Sequence, residues 1–232
     1  MPESRFDGGD WTKVDNRPFV FPGKVADQAL NAAVAWQLSR DRELAEKVAV
    51  FLRRFTDPDT GYPATLRASD AALVQEGGFL RRTANAFDLI KDSDVLTLEL
   101  TEQIERTFHL YEDVVMNELR RGVVGNHQVS AAAGGLYAAL TINDMGMAHR
   151  FIHGPGMLMD MFTVGFMPDG WWHESALNYS TGMTLVYLKL ARALEPRGID
   201  WLNKGFPVKY SQALRIDPSA AGDPTKAGDG SS

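Results

Sequence analysis

Cysteine is absent from the 232 residues of the chain, so neither a disulfide framework nor a thiolate zinc site can hold it together. That absence selects no compartment, because exported and cytosolic proteins can both lack the residue. No run of about 18 apolar residues occurs, which leaves nothing for a membrane-spanning helix. Met1 to Trp11 is polar and glycine-rich, without the apolar centre of a signal peptide. Positive charge is in deficit: 24 Lys and Arg stand against 30 Asp and Glu, a formal net charge of −6. No global basic field draws in a phosphate backbone, so nucleic acid and membrane are not expected as partners. If the substrate is itself an anion, the positive groups that meet it must be gathered in a cleft. Histidine is sparse as well, with five in the chain. His149 and His153 have i, i+4 spacing, but no carboxylate completes the usual metal-binding pattern, and neither a metal nor a cofactor is expected.

What the chain does have is apolar side chains at helical spacing, 44% hydrophobic against 23% charged residues. At this length a compact chain buries roughly 70% of its unfolded surface, enough for a core without staples. Helices are predicted at about Lys24–Ser39, Asp41–Phe55, Ser69–Lys91, Ser93–Arg121, Asn126–Ile142, Ala148–Phe166, Glu174–Glu195 and Val208–Leu214. Breaks such as Asp57-Pro58, Arg121-Gly122, Asn143-Asp144, Pro168-Asp169-Gly170 and Pro196-Arg197-Gly198 separate them, and Gly154-Pro155-Gly156 interrupts the sixth. Short connections favour antiparallel neighbours. The fold expected is all-α, an incomplete α/α toroid of antiparallel helical hairpins. Residues 1–22 read as an irregular arm, 23–215 as the partial toroid domain, and 216–232 as a flexible tail or a loop cut short.

Two clusters carry groups capable of chemistry. In Gly125-Asn126-His127-Gln128, Asn126 precedes an Ala/Gly-rich helix whose apolar stripe runs through Val129, Ala132, Ala133, Leu136, Tyr137 and Leu140. Its bland role is an N-cap, with His127 exposed on the first turn. Ala131 to Gly135 suggests close helix packing. In the second cluster a Pro-Asp-Gly turn delivers Trp171, Trp172, His173 and Glu174 to the mouth of a helix that carries Tyr179. Aromatic faces suit the apolar faces of sugar rings, and His and Glu supply hydrogen bonds to hydroxyls. The bland alternative has the tryptophans plugging the core, Glu174 favouring the helix N-terminus, and Tyr179 on the stripe of Ala176, Met183, Val186, Tyr187 and Leu190. Arg81-Arg82 and Arg120-Arg121 read as ordinary solvated charge pairs.

Taken together, Asn126-His127 opening an Ala/Gly-rich helix, followed by Asp-Gly-x-Trp-x-Glu-Ser-x-x-x-Tyr from Asp169 to Tyr179, resembles the heparinase II/III-like and alginate-lyase superfamily of polysaccharide lyases. The resemblance covers roughly residues 70 to 205. It implies β-elimination on a uronate-containing acidic polysaccharide or oligosaccharide. Removing the C5 proton is hard until the adjacent carboxylate is neutralised, because the carbanion-like intermediate loads more charge onto it. By resemblance, Asn126 and His127 neutralise that carboxylate and Tyr179 acts as general acid/base. Trp171 and Trp172 would line sugar subsites with His173 and Gln128, and Glu174 would orient the wall.

The resemblance also implies export to the periplasm or beyond, and a C-terminal β-sandwich that covers the cleft. No such domain is found in this chain, which suggests part of a larger lyase. One residue departs from the family pattern: Ser180 stands where histidine commonly follows the motif tyrosine. Two other functions fit the same residues. An α/α-toroid glycoside hydrolase would pair Glu174 with Asp169 or Asp144 across a cleft, and a non-catalytic glycan-binding fragment would keep the aromatics without turnover.

Overall fold

The computed structural model describes residues 17–57, 70–119 and 123–206. Among these residues the fold is all-α, with no strand: α1 (Arg17–Ser39), α2 (Arg42–Thr56), α3 (Asp70–Ile90), α4 (Leu98–Leu119), α5 (Asn126–Thr141), α6 (Met145–His153), α7 (Leu158–Gly165) and α8 (Leu177–Leu194), closed by a 3-10 turn at Glu195–Arg197. The helix predicted at Val208–Leu214 lies outside the described residues, as do residues 1–16 of the N-terminal arm and the 216–232 segment. Helix α1 starts at Arg17, ahead of the predicted Lys24. Pro18 sits in its first turn, where a missing N–H removes no helical hydrogen bond.

Local chemistry sets the other limits. Between α1 and α2, Arg40 takes a left-handed φ of 57° and lays its guanidinium 4.5 Å over the Trp36 ring. Asp41 then caps α2, accepting from the Glu43 N–H at 3.0 Å. Asn143 adopts φ 60°, and Asp144 caps α6 by accepting from the Met147 N–H at 2.8 Å. The single helix predicted over Ala148–Phe166 is two, α6 and α7, separated at the Gly154-Pro155-Gly156 interruption. The last helix starts at Leu177 rather than Glu174, because Trp172 to Ser175 closes a turn. There the Ser175 N–H donates to the Trp172 carbonyl at 2.9 Å, and Ser175 itself sits at φ 59°.

The helices pack in alternation. Helix α3 lies between α1 and α5, α8 packs against α5, and α2 and α4 pack against each other and against α3 and α5 respectively. Phe51 and Phe55 of α2, Phe79 and Phe87 of α3 and Phe108 of α4 form a chain of rings with centroids 5.8–6.3 Å apart. Each such ring contributes on the order of 1.5–3 kcal/mol by leaving water.

Two adjacent glycines decide how close the neighbours of α5 come. A Cβ on Gly134 would meet the Gly77 carbonyl oxygen of α3 at 2.6 Å, and one on Gly77 would meet the Ser130 carbonyl oxygen at 2.3 Å. A Cβ on Gly135 would strike the Phe151 ring of α6 at 2.1 Å. The close packing expected at Ala131–Gly135 therefore serves two interfaces. The backbones of α3 and α5 touch at one, and an aromatic ring is seated at the other.

Candidate functional site

The first cluster sits where α5 begins. Gly125, extended at φ −162° and ψ 168°, is the N-cap, and it offers no side-chain hydrogen bond. Asn126 is thus the first helical residue, which corrects its expected capping role. Its own backbone N–H, one of the unpaired donors of a helix start, donates to Glu174 Oε2 at 3.1 Å. The same oxygen accepts from the Trp172 indole Nε1–H at 2.5 Å. Glu174 therefore places its charge at the positive end of α5 rather than of α8. A charge-assisted bond of this kind is worth about 1.5–3 kcal/mol. It ties the two sequence clusters together.

The second cluster divides into an inside and an outside. Trp172 has 0% of its surface exposed. It stacks edge-on to Phe166 with centroids 5.3 Å apart and bridges that residue through the backbone, and a Cβ on Gly165 would meet its ring at 2.2 Å. His173 is buried, its ring 4.8 Å from that of Trp172. Both were expected to line a sugar subsite. Burial corrects this, and Trp172 takes the core-plugging role. Ser180 is buried too, and its hydroxyl accepts from the Trp172 N–H at 3.1 Å. The serine that departs from the family pattern thus holds the turn. Gln128 is a further correction. It is buried, and its side-chain oxygen would lie 2.7 Å from a Cβ on Gly125, folded back over the helix start as a residue at that capping position does.

The outside members are Trp171, 42% exposed, and Tyr179, 41% exposed. Tyr179 is therefore not the core tyrosine of the bland alternative. Tyr187 fills that role, fully enclosed, its hydroxyl donating to the Leu158 carbonyl at 3.0 Å. Burial raises its pKa well above that of an ordinary phenol.

Helix periodicity then separates two cavities. Ser130, Ala133 and Tyr137 of α5, with Val186 and Lys189 of α8 and Arg81 of α3, line a cavity of about 260 Å³. Asn126 precedes Ser130, Ala133 and Tyr137 at i, i+4, i+7 and i+11, all on one face of α5. Tyr179 precedes Val186 and Lys189 at i+7 and i+10 on one face of α8. His127 flanks that face of α5 on the side of Gly134, which meets α3. Gln128 shares the opposite side with Gly135.

Trp171 lines a different cavity of about 310 Å³ with Leu177, Thr181, Thr184 and Leu185. Of these, Leu177, Thr181 and Thr184 lie across the helix from Tyr179, with the buried stripe of Met183, Tyr187 and Leu190 to one side and Leu185 one turn before Lys189 on the other. Asn126 and Tyr179 thus precede, on their helices, residues that line the first cavity, though neither they nor His127 line it themselves, and Trp171 lines the other. The cationic wall of the first groove is the feature that sequence reasoning missed. Arg81-Arg82 looked like a solvated pair, although α3 is flanked there by buried Phe79, Leu80, Thr83 and Ala84.

The carboxylates nominated for a hydrolase have separate structural tasks. Glu174 holds α5 to Trp172, Asp144 caps α6, and Asp169 accepts from the Trp171 N–H at 3.1 Å. Among the described residues no group of three or more His, Asp or Glu side chains has the geometry to hold a metal ion. No described helix is long and apolar enough to cross a membrane.

Comparison with known families gives one result. The model of the family described as alginate lyase matches residues 23–210, most of the chain. It accounts for the alginate-lyase part of the resemblance and not for the heparinase II/III-like part. No curated protein matches the chain.

Proposed function

The chain belongs to the alginate lyase family, and we propose that it cleaves a uronate-containing polysaccharide by β-elimination in the groove between α3, α5 and α8. Polysaccharide lyase activity on an acidic polymer follows from the family; the residues and the groove are our reading. Asn126 and His127 donate hydrogen bonds to the C5 carboxylate and stabilise the charge that builds there. Tyr179, as its phenolate, removes the C5 proton and becomes the phenol, the C–H electron pair becomes the C4–C5 double bond, and the C4–O bond breaks. The proton that Tyr179 gained then passes to the leaving glycosidic oxygen, so one phenol serves as base and acid in turn. Glu174 acts behind them as a positioning residue, fixing the start of α5 against the turn that leads into α8.

The observation that carries this reading is the shared Glu174 oxygen, which joins the backbone of Asn126 to Trp172 just ahead of Tyr179. Asn126 stands about one turn, and Tyr179 about two turns, before residues that line the same cavity. The alternation of α1, α3, α5 and α8 with the other helices supports an arc of an α/α toroid, with the groove on its inner side. A periplasmic or extracellular setting belongs to the same proposal, since that is where such polymers are met.

The test is to incubate the protein with alginate, heparan sulfate, hyaluronan and ulvan and to follow ultraviolet absorbance of the unsaturated product. Absorbance should rise on a uronate polymer and should fall to background in Tyr179→Phe. Chain shortening with no new absorbance would mean hydrolysis. Saturable binding with no shortening would mean a glycan-binding role.

A further inference from the structure

The cavity between α3, α5 and α8 is lined by three cations, Arg81, Arg82 and Lys189, and by no carboxylate among the described residues. In a chain of net charge −6 such a concentration requires an explanation. Arg82 has a partner within the fold, since its Nε–H donates to Asp27 Oδ1. Arg81 makes no ion pair with any described residue. Its guanidinium lies partly buried, and burial first, then the neighbouring Arg82, lowers its pKa from the usual arginine range. The carboxylate acting on it is that of Asp27, which is already paired with Arg82, so a guanidinium held there costs stability that an anion in the cavity would offset. Tyr137 stands opposite. Burial raises its pKa while Arg81 acts to lower it, so at neutral pH it presents a protonated hydroxyl, a donor, toward the same space.

The packing makes the room. The absence of a side chain at Gly77 lets α3 approach the α5 backbone, and Arg81 follows one turn later against Ser130 and Tyr137. At Gly78 a Cβ would lie 2.9 Å from an Arg82 terminal nitrogen.

We infer that this cavity is a second carboxylate site, in which Arg81 and Lys189, with the Tyr137 hydroxyl, hold the uronate next to the one that reacts. The inference rests on the lyase reading for its ligand and on the unpaired cations for its place. Arg81 supplies a planar fork of donors that fits a carboxylate, and Lys189 adds a point charge from α8. The site gives an acidic protein a local field for an acidic polymer and fixes which way the chain lies past Tyr179.

The experiment is calorimetric titration of an alginate tetrasaccharide into the full chain carrying Tyr179→Phe, which prevents turnover. Arg81→Gln on this background should weaken binding about tenfold or more, and Arg81→Lys should recover part of it. A carboxyl-reduced tetrasaccharide should bind weakly and be indifferent to either change. Far-ultraviolet circular dichroism checks folding, and if Arg81→Gln does not fold, the exposed Lys189→Gln carries the test with an expected loss of about threefold. Unchanged affinity in the folded variants overturns the second site and leaves the lyase reading to the ultraviolet assay. Carboxylate-dependent binding that needs Arg81, with no unsaturated product from the unmodified protein, supports the site and overturns the lyase. No binding and no product overturns both.

Discussion

The two flanks of α8 differ more than their sequence suggests. One carries Val186 and Lys189 into a cavity walled by Arg81 and Tyr137, with Tyr179 two turns before Val186. The other carries Leu177, Thr181 and Leu185 toward Trp171, and Leu188 toward an apolar hollow of about 290 Å³ lined by Phe162, Phe166, Trp201 and Phe206. The tryptophans that attracted notice in the sequence lie on the second flank, Trp171, or inside the core, Trp172. Three cations, Arg81, Arg82 and Lys189, gather on the first, against Lys204 alone at the hollow of the second. For an acidic polymer the difference is instructive: apolar faces can hold any sugar ring, but the more cationic flank favours a carboxylate in a chain of net charge −6.

The strongest way to break this comparison is to alter each flank in turn. Tyr179→Phe should lower kcat by about 10²–10⁴-fold, as loss of a general acid/base does, with its thermal melting point unchanged. Next in size, Trp172→Ala should destabilise the fold by about 3–5 kcal/mol, because it empties a fully buried site and leaves the Glu174 carboxylate short of a donor. Thermal unfolding followed by circular dichroism measures that loss. A small loss would mean that Trp172 is not the plug its burial indicates.

Gly77→Ala should cost about 1–3 kcal/mol by forcing α3 from α5. Because it also widens the cationic groove, kcat/KM should fall along with the melting point. Tyr187→Phe should cost about 1 kcal/mol at neutral pH through the lost bond to Leu158. Its pH dependence has a definite sign. The folded pKa of Tyr187 is raised, so its contribution is complete below the unfolded value of about 10 and is lost as pH rises through and above it. The Phe variant should therefore lose less stability than the parent between neutral pH and strong alkali. The smallest effect is expected for Trp171→Ala, within about 0.5 kcal/mol in stability and little more in kcat/KM. A tenfold fall in kcat/KM would show that substrate crosses both flanks, and the contrast would fail.

Much of the fold was legible because helix stops are local. Asp41 and Asp144 cap α2 and α6 next to the predicted breaks, and Pro196 and Gly198 end α8 where expected. The start of α8 was misplaced because Ser175 adopts a left-handed backbone that no spacing signals. In the candidate site, Asn126, His127 and Tyr179 are proposed from residue type and order. Gln128, Trp172 and His173 were grouped with them by adjacency alone. In a turn or a first helical residue, however, neighbours in sequence point in different directions, and burial took all three inward. Arg81 was passed over for the converse reason, since a charged pair on a helix looks solvated until another helix is laid beside it.

By itself the sequence determined the all-helical class, most of the breaks between helices, and the two clusters from which a lyase site is proposed. These follow from the 3.6-residue period and from side chains that act within a few positions of themselves. The tertiary structure alone decided which cluster members meet, that Glu174 serves the start of α5, and that Arg81 faces a cavity instead of solvent. Those outcomes depend on how closely α3, α5 and α8 approach one another. That approach is governed by contacts such as Gly77 against Ser130 and Gly134, between residues far apart in the chain. Periodicity records how much of a helix is buried, but not which helix buries it.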